Sequence, residues 1–404
     1  MLCLSVQAGA EGAEWPGWRG PSGTGVSDES GWNPLALENG ARRLWNSDVG
    51  YGFSNVAILD NRLYTMGRSR ETNSFLVSCL DALTGQIIWT FDKLRILGDA
   101  LSTPTTDGTF VYCLAKDGTI FCLQASDGGL VWKKSLESDF GLLRPTYGWA
   151  SSPVVEGDLL ILNAGTAGLA LKKSSGEVAW ASRPVSPKVS SYASPVIVGG
   201  RDQRMALLES TVDLSAVRVD TGKILWSFPH GDSEDVVADP VPLGTEIFFS
   251  HRDYGMLLKV DAGKIRWVWT NAGLRSGIST PVYANGNLYA THWIGIVSAE
   301  DWGRMREVHW PFRCLDLASG KTLWETTMRP TSVIAADGKL IILEIDGTLH
   351  IAEASSDAYH ELSHADVLGG TNASRLFTTP PALVAGKVYC RNYAGDLVCI
   401  DVSR

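Results

Sequence analysis

Apolar residues recur along this chain in short runs broken by Gly turns, and one pattern returns throughout: an apolar pair, a turn built on Gly, an apolar pair, then Trp. Its fullest form is Cys79-Leu80-Asp81-Ala82-Leu83-Thr84-Gly85-Gln86-Ile87-Ile88-Trp89. Further copies end at Trp132, Trp180, Trp226, Trp267 and Trp324, and in each copy Gly stands four residues before Trp: Gly85, Gly128, Gly176, Gly222, Gly263 and Gly320. Trp45 is a seventh member without that turn. Successive Trp positions lie 41 to 57 residues apart, the spacing of a four-stranded propeller blade.

A second signature recurs in the intervals, a Ser, Thr or Asp followed by Pro and an apolar run, as in Thr103-Pro104, Ser152-Pro153, Ser194-Pro195, Asp239-Pro240, Thr280-Pro281 and Thr379-Pro380. Pro has no N–H for a ladder, so it marks the entry to the innermost strand. Turns such as Asp107-Gly108, Asn285-Gly286 and Asp337-Gly338 then lead into the next strand as hairpins require. A ring with free first and last edges would leave unpaired backbone groups. The carboxy-terminal segment Pro381–Val402 supplies three strands, and the segment around Trp45 supplies the fourth. The expectation is therefore an all-β fold: an eight-bladed β-propeller of four-stranded antiparallel blades, the last closed by the N-terminal strand. Blade 7 lacks the Gly turn, and Leu362 is expected where Trp would stand. Trp45, Trp89, Trp132, Trp180, Trp226, Trp267 and Trp324 are read as structural staples between blades, because a large ring at a recurring outer-strand position packs between sheets.

The chain has 404 residues, 45% of them hydrophobic, and a formal net charge of -9. That apolar fraction fills a substantial core and excludes disorder as the main state. An acidic chain without a Lys/Arg cluster lacks the surface that nucleic acid or an anionic membrane face would require. No window past the first residues holds enough uncharged apolar positions to span a bilayer. Residues 1–13 are read as a truncated signal peptide, from Leu2-Cys3-Leu4-Ser5-Val6 and Ala8-Gly9-Ala10. Residues 14–40 form an N-terminal arm and 41–404 a single propeller domain. The expected location is periplasmic or secreted, and the expected state a monomer.

Aligning the repeats puts Cys79, Cys122, Ala170, Ala216, Leu257, Cys314, Ala352 and Cys399 in one column, a tight position on the third strand where Cys acts as a small hydrophobe. If the turns at Asp117-Gly118 and Ala394-Gly395 are two-residue loops, Cys113 falls opposite Cys122 and Cys390 opposite Cys399. These are candidate cross-strand disulfides. No thiol spacing fits a metal.

The repeat resembles the pyrroloquinoline-quinone-like (PQQ-like) repeat propellers, whose docking motif runs Asp-x-x-Thr-Gly-Lys-x-x-Trp. Asp81 to Trp89, Thr221 to Trp226 and Asp316 to Trp324 match it, and Trp15-Pro16-Gly17-Trp18-Arg19-Gly20-Pro21 looks like the leader of extracytoplasmic members. The resemblance implies two functions. One is a non-catalytic binding or assembly scaffold, similar in size to BamB, with no cofactor and a protein or polymer ligand. The other is an alcohol dehydrogenase holding PQQ over the axial funnel with a metal and, usually, adjacent cysteines, which this chain lacks. Fold alone does not choose between them.

In an up-and-down blade, the loops between blades and the turns between second and third strands share one end, here called the top. That end gathers Arg144, Tyr147, Trp149, His251, Arg252, Tyr254, His292, Trp293, Trp302, Arg304, Arg391 and Tyr393, aromatic and guanidinium groups of the kind that dominate binding hot spots. Extra length in blade 6, from Thr291 to Arg313, is read as a lid or docking loop, with folding onto its own blade as the alternative. No nucleophile elbow, P-loop or dinucleotide fingerprint is present, so no catalytic residue or metal ligand is assigned.

Overall fold

Hairpins joined end to end build each sheet, and the computed structural model contains eight. It describes residues 14–96, 98–182, 191–200, 203–231, 237–251, 253–261, 263–277, 279–292, 311–328, 330–369 and 379–403. Seven sheets cover residues 57–91, 105–135, 154–181, 196–229, 241–271, 282–326 and 330–366. The eighth joins 382–401 to Arg43–Asp48. Each blade runs as four antiparallel strands, the eight-bladed propeller that the repeat predicts. Trp45 pairs with Cys399, so the N-terminal strand closes the ring. Blade 7 gains a fifth strand that the repeat did not announce: Val26–Ser27 of the arm lies parallel to Pro330–Ala336 on the axial side. No helix among the described residues is long and apolar enough to cross a membrane.

The core lies between blades, because each sheet is apolar on both faces and packs against two neighbours. Four blades share one rung across their three outer strands: Tyr64–Cys79–Trp89, Tyr112–Cys122–Trp132, Tyr289–Cys314–Trp324 and Tyr389–Cys399–Trp45. The Tyr and Trp rings of these rungs sit 5.9 to 6.3 Å apart over the small Cys. Each indole then reaches the next blade. Trp89 Nε1–H donates to the Ala125 carbonyl at 3.1 Å, Trp132 to Lys173 at 2.9 Å and Trp180 to Val219 at 2.7 Å. The ring itself lies flat on the next blade's turn glycine. A Cβ on Gly128 would stand 2.7 Å from Trp89, and φ there is +74°. The Gly-to-Trp spacing thus records two functions of one turn, which receives the preceding indole and launches the strand bearing the next.

Three expectations are corrected. Trp267 is not a staple: it is 60% exposed, with its Nε1–H on Thr270, and Trp269 takes the docking position, donating to the Leu317 carbonyl at 2.7 Å above Gly320. In blade 5 the outer hairpin pairs on to Asp261 and Lys264, so four residues past Gly263 falls two short of Leu257's partner, Trp269. In blade 7 the column position is Ile351 and not Ala352, and the residue opposite it, where other blades place Trp, is Ser363 and not Leu362. The arm fills the gap: Ser363 donates to the Pro34 carbonyl, while Trp32 and Leu37 join the cluster between blades 7 and 8.

The disulfides are absent. Cys113 pairs with Phe121 while Cys122 pairs with Tyr112, and Cys390 pairs with Val398 while Cys399 pairs with Tyr389. Both loops hold three residues, closed by Ala115 N–H to Thr119 and Asn392 N–H to Asp396. That one-residue difference puts each pair on opposite faces of its blade. All six described thiols are free and buried, and burial pushes Cys122 and Cys399 up to about 12.

Candidate functional site

The recurrent Ser/Thr/Asp-Pro step has a structural cause at the axis. Asn55 N–H donates to Thr103 Oγ1, Thr103 N–H to Ser152 Oγ and Ser152 N–H to Ser194 Oγ, all at 2.9 Å. Ser194 N–H reaches Asp239 Oδ1 at 2.6 Å, and Asp239 N–H reaches Thr280 Oγ1 at 2.9 Å. Ser332 Oγ donates to the Thr379 carbonyl, and Thr379 Oγ1 to Asn55 Oδ1. Thr103, Ser152, Ser194, Asp239 and Thr280 each accept the N–H that the preceding blade would otherwise bury unpaired, whereas Ser332 and Thr379 donate their hydroxyls. Pro can follow because its own N–H is not needed.

The arm crosses this ring. Trp15 exchanges backbone bonds with Ile58 of blade 1, and the Pro16 carbonyl accepts Thr106 N–H of blade 2. Three residues beyond Trp15, the Trp18 indole donates to Asp239 Oδ2 of blade 5 at 2.6 Å. Arg19, fully buried, donates to the carbonyls of Thr280 at 3.2 Å and Pro281 at 2.9 Å in blade 6. Blades 1 and 5 are diametrically opposed in a ring of eight, so residues 15–19 must cross the axis. The arm meets blade 1 within its inner strand, at Ile58, and blades 5 and 6 at their strand entries, Asp239 and Thr280-Pro281, and so lies across the axis. Burial pulls Arg19 down to about 10 against the charge of Asp239. Asp239 is raised by burial despite Arg19.

At the top, between blades 3, 4 and 5, the buried polar groups form a cluster. Asn163 Nδ2 bridges Ser191 Oγ and the carbonyls of Ala193 and Glu209. The Glu209 carboxyl is wholly buried, 3.9 Å from His230 Nε2, and has no hydrogen-bond partner among the described residues. Burial, then the Asp239 charge, holds it well above the usual carboxylate range. Burial and the neighbouring His251 drop His230 to about 4. His230 is therefore neutral at pH 7, and Glu209 is biased toward its protonated form. His251 stacks on Tyr254 at 4.7 Å, and Tyr254 Oη–H donates to the His230 carbonyl.

One top loop, between blades 2 and 3, is different. Leu143 is 57% exposed and Tyr147 62% exposed, yet the loop is held. Arg144 Nε donates to Glu137 at 2.6 Å, Tyr147 N–H to Tyr192 Oη at 3.0 Å, and Trp149 is buried beneath against Gly118. Of the twelve residues singled out at the top, Arg144 and Tyr147 therefore face solvent. Trp149 and His251 are buried, and Tyr254, His292 and Tyr393 are half-buried. His292 Nδ1 accepts Arg275 N–H, and Tyr393 Oη–H donates to Asp99. Arg391 is a correction: it is fully buried, donating to Ser54, Gly50 and Thr65, and presents nothing to a ligand. Arg252, Trp293, Trp302 and Arg304, with most of the blade 6 insertion, lie outside the described residues.

Sequence reasoning passed over Arg19, Trp18, Glu209 and Leu143. Only Glu209 carried a local signal, an acid ending the apolar strand Met205–Glu209.

A quinone over the top would need an anchored metal and, usually, adjacent cysteines, and among the described residues no thiol pair or metal-ligand group lies there. Burial biases the acid at the mouth toward its protonated form, Arg391 is spent on the ring, and the thiols are isolated and buried. The one group of three or more potential metal ligands among the described residues lies elsewhere, on blade 7.

Comparison with known proteins agrees with the fold. BamB of Burkholderia pseudomallei is 25% identical over 374 residues, covering 87% of this chain and 84% of that protein. The crystal structure of BamB from Moraxella catarrhalis superposes with a TM-score of 0.64 at 15% identity, covering 89% of this chain and 97% of that one. The quinohemoprotein alcohol dehydrogenase from Comamonas testosteroni superposes with a TM-score of 0.71 at 12% identity, covering 97% of this chain and 81% of the enzyme. At such identities the two structures speak for the fold alone. A family model described as outer membrane protein assembly factor BamB matches residues 73–304. With its docking turns and closed ring of eight blades, this chain belongs to that family of PQQ-like repeat propellers.

Proposed function

We propose that the protein is an extracytoplasmic, non-catalytic scaffold, periplasmic or secreted, that holds a protein partner through its top-face loops and takes part in assembly as its BamB relatives are named for doing. The observation that carries this is the ordered loop bearing Leu143, Arg144 and Tyr147, where two large apolar side chains stay in water on either side of a guanidinium. Exposed apolar groups on a rigid frame bury area on docking without an ordering cost, which is how hot spots work. The arm across the axis supports it further, since Trp18 and Arg19 fill space between blades 1 and 5 that a cofactor on the axis would share. The test is a photo-crosslinking residue at position 147 in cells, with one at Lys223 on the opposite end as control. A discrete protein adduct at 147 alone, lost in Leu143→Asp, is expected. Equal labelling at both positions, or none at 147, overturns the reading.

A further inference from the structure

Blade 7 departs from the other blades at its outer rungs. His350 and His364 are direct cross-strand partners, and their rings stack at 5.5 Å. A bulge between Ile351 and Ala352 turns Glu361 to the same face. One Glu361 oxygen lies 2.6 Å from His350 Nδ1 and the other 2.6 Å from His364 Nδ1. The corresponding rungs of blades 4 and 6 are Ser215–Ser227 and Arg313–Glu325. From this geometry we propose that His350, His364 and Glu361 form a binding site for one divalent transition-metal ion of the zinc class.

The three potential ligand atoms lie within 4.8 Å of one another. Tetrahedral ligands at about 2.0–2.1 Å from zinc stand about 3.3 Å apart, so the two contacts need to open by well under 1 Å. Two imidazole nitrogens with a carboxylate suit a borderline ion, whereas calcium and magnesium prefer all-oxygen sets. The surroundings are those of a metal-bound histidine. With Nδ1 on the ion, the proton of His350 moves to Nε2, which lies buried 3.4 Å from a Glu344 oxygen. That is the carboxylate-to-histidine contact that fixes tautomer and ring orientation at metal sites. Tyr359 Oη–H donates to Glu361 at 3.1 Å and orients the carboxylate in the same way. His350 is buried while His364 and Glu361 are exposed, so an ion has a path in and an open side for water or a fourth ligand.

The experiment is titration of chelator-treated full-length protein with Co²⁺ and then Zn²⁺, read by visible absorption and by thermal unfolding. One equivalent of Co²⁺ should give a d–d band that one equivalent of Zn²⁺ removes, with a rise in Tm. His364→Ala and Glu361→Gln should remain folded without metal, whatever their own melting temperature, but lose the band and the metal-induced shift. Glu344→Gln should bind about tenfold or more weakly, the usual loss when such an orienting contact is removed. Ca²⁺ and Mg²⁺ should do nothing. No saturable Co²⁺ binding, equal binding by the His364 and Glu361 variants, or an equal response to Ca²⁺ would overturn the site and leave the cluster as a hydrogen-bonded rung.

Discussion

The rim and the axis of this ring are locked by opposite chemistry. At the rim an indole lies on a glycine turn and donates one hydrogen bond, so the lock is chiefly apolar area. At the axis, hydroxyls and one carboxylate accept backbone N–H groups from the blade before, and an arm from outside the repeat crosses between blades 1–2 and 5–6. The rim lock is local to each pair of neighbours. The axial one ties opposite sides together. A propeller can therefore hold its blades by a repeated device and still brace its axis with an unrepeated one.

The sharpest way to break the comparison lies within two residues of blade 5. Trp269→Ala should cost about 3–5 kcal/mol in urea unfolding, as for other large core rings, whereas Trp267→Ala should stay within about 0.5 kcal/mol. Reversal of that order would show that the docking position has been misplaced. Next is the axis. Arg19→Met removes charged hydrogen bonds to Thr24, Thr280 and Pro281 and should cost about 1.5–3 kcal/mol. Thr103→Val strands the Asn55 N–H and should cost about 1–3 kcal/mol by the same rule.

The smallest effect, near pH 5, comes from Glu209. Its folded pKa is raised by burial above the ordinary 4.5, so the folded state holds its proton after the unfolded chain has lost it. Stability is then full below about 4.5 and declines as pH rises toward the folded value. Glu209→Gln cannot ionise. Its melting curve should match wild type in acid and rise progressively above it from pH 5 to 8. Parallel profiles would mean that burial does not raise the Glu209 pKa.

The rim was legible because its signal repeats: Gly four residues before Trp fixes the turn, the strand and the blade count, and Trp45 without a Gly names the closing strand. Where the outer turn shortens, at Asp261 to Lys264, the same count pointed to the wrong indole. The thiol pairs failed for a related reason, since loop length sets register and three residues between Ala115 and Thr119 in place of two exchange the faces. At the axis the Ser/Thr/Asp-Pro step was visible as a strand entry, but its hydrogen-bond role was not, because its partners lie a whole blade away. Trp18 and Arg19 find theirs 221 and 261 residues along the chain, and no local pattern encodes such distances. Arg391 was misread as a ligand contact because a buried guanidinium and an exposed one look alike in a turn.

The proposed top-face recognition depends most on the arm lying docked across the axis. Hydrogen-exchange mass spectrometry of the peptide covering residues 14–25 measures this directly. Protection comparable to the inner strands of blades 1 and 6 is the expected result. Exchange as fast as that of exposed turns would mean that the arm is undocked and the channel open.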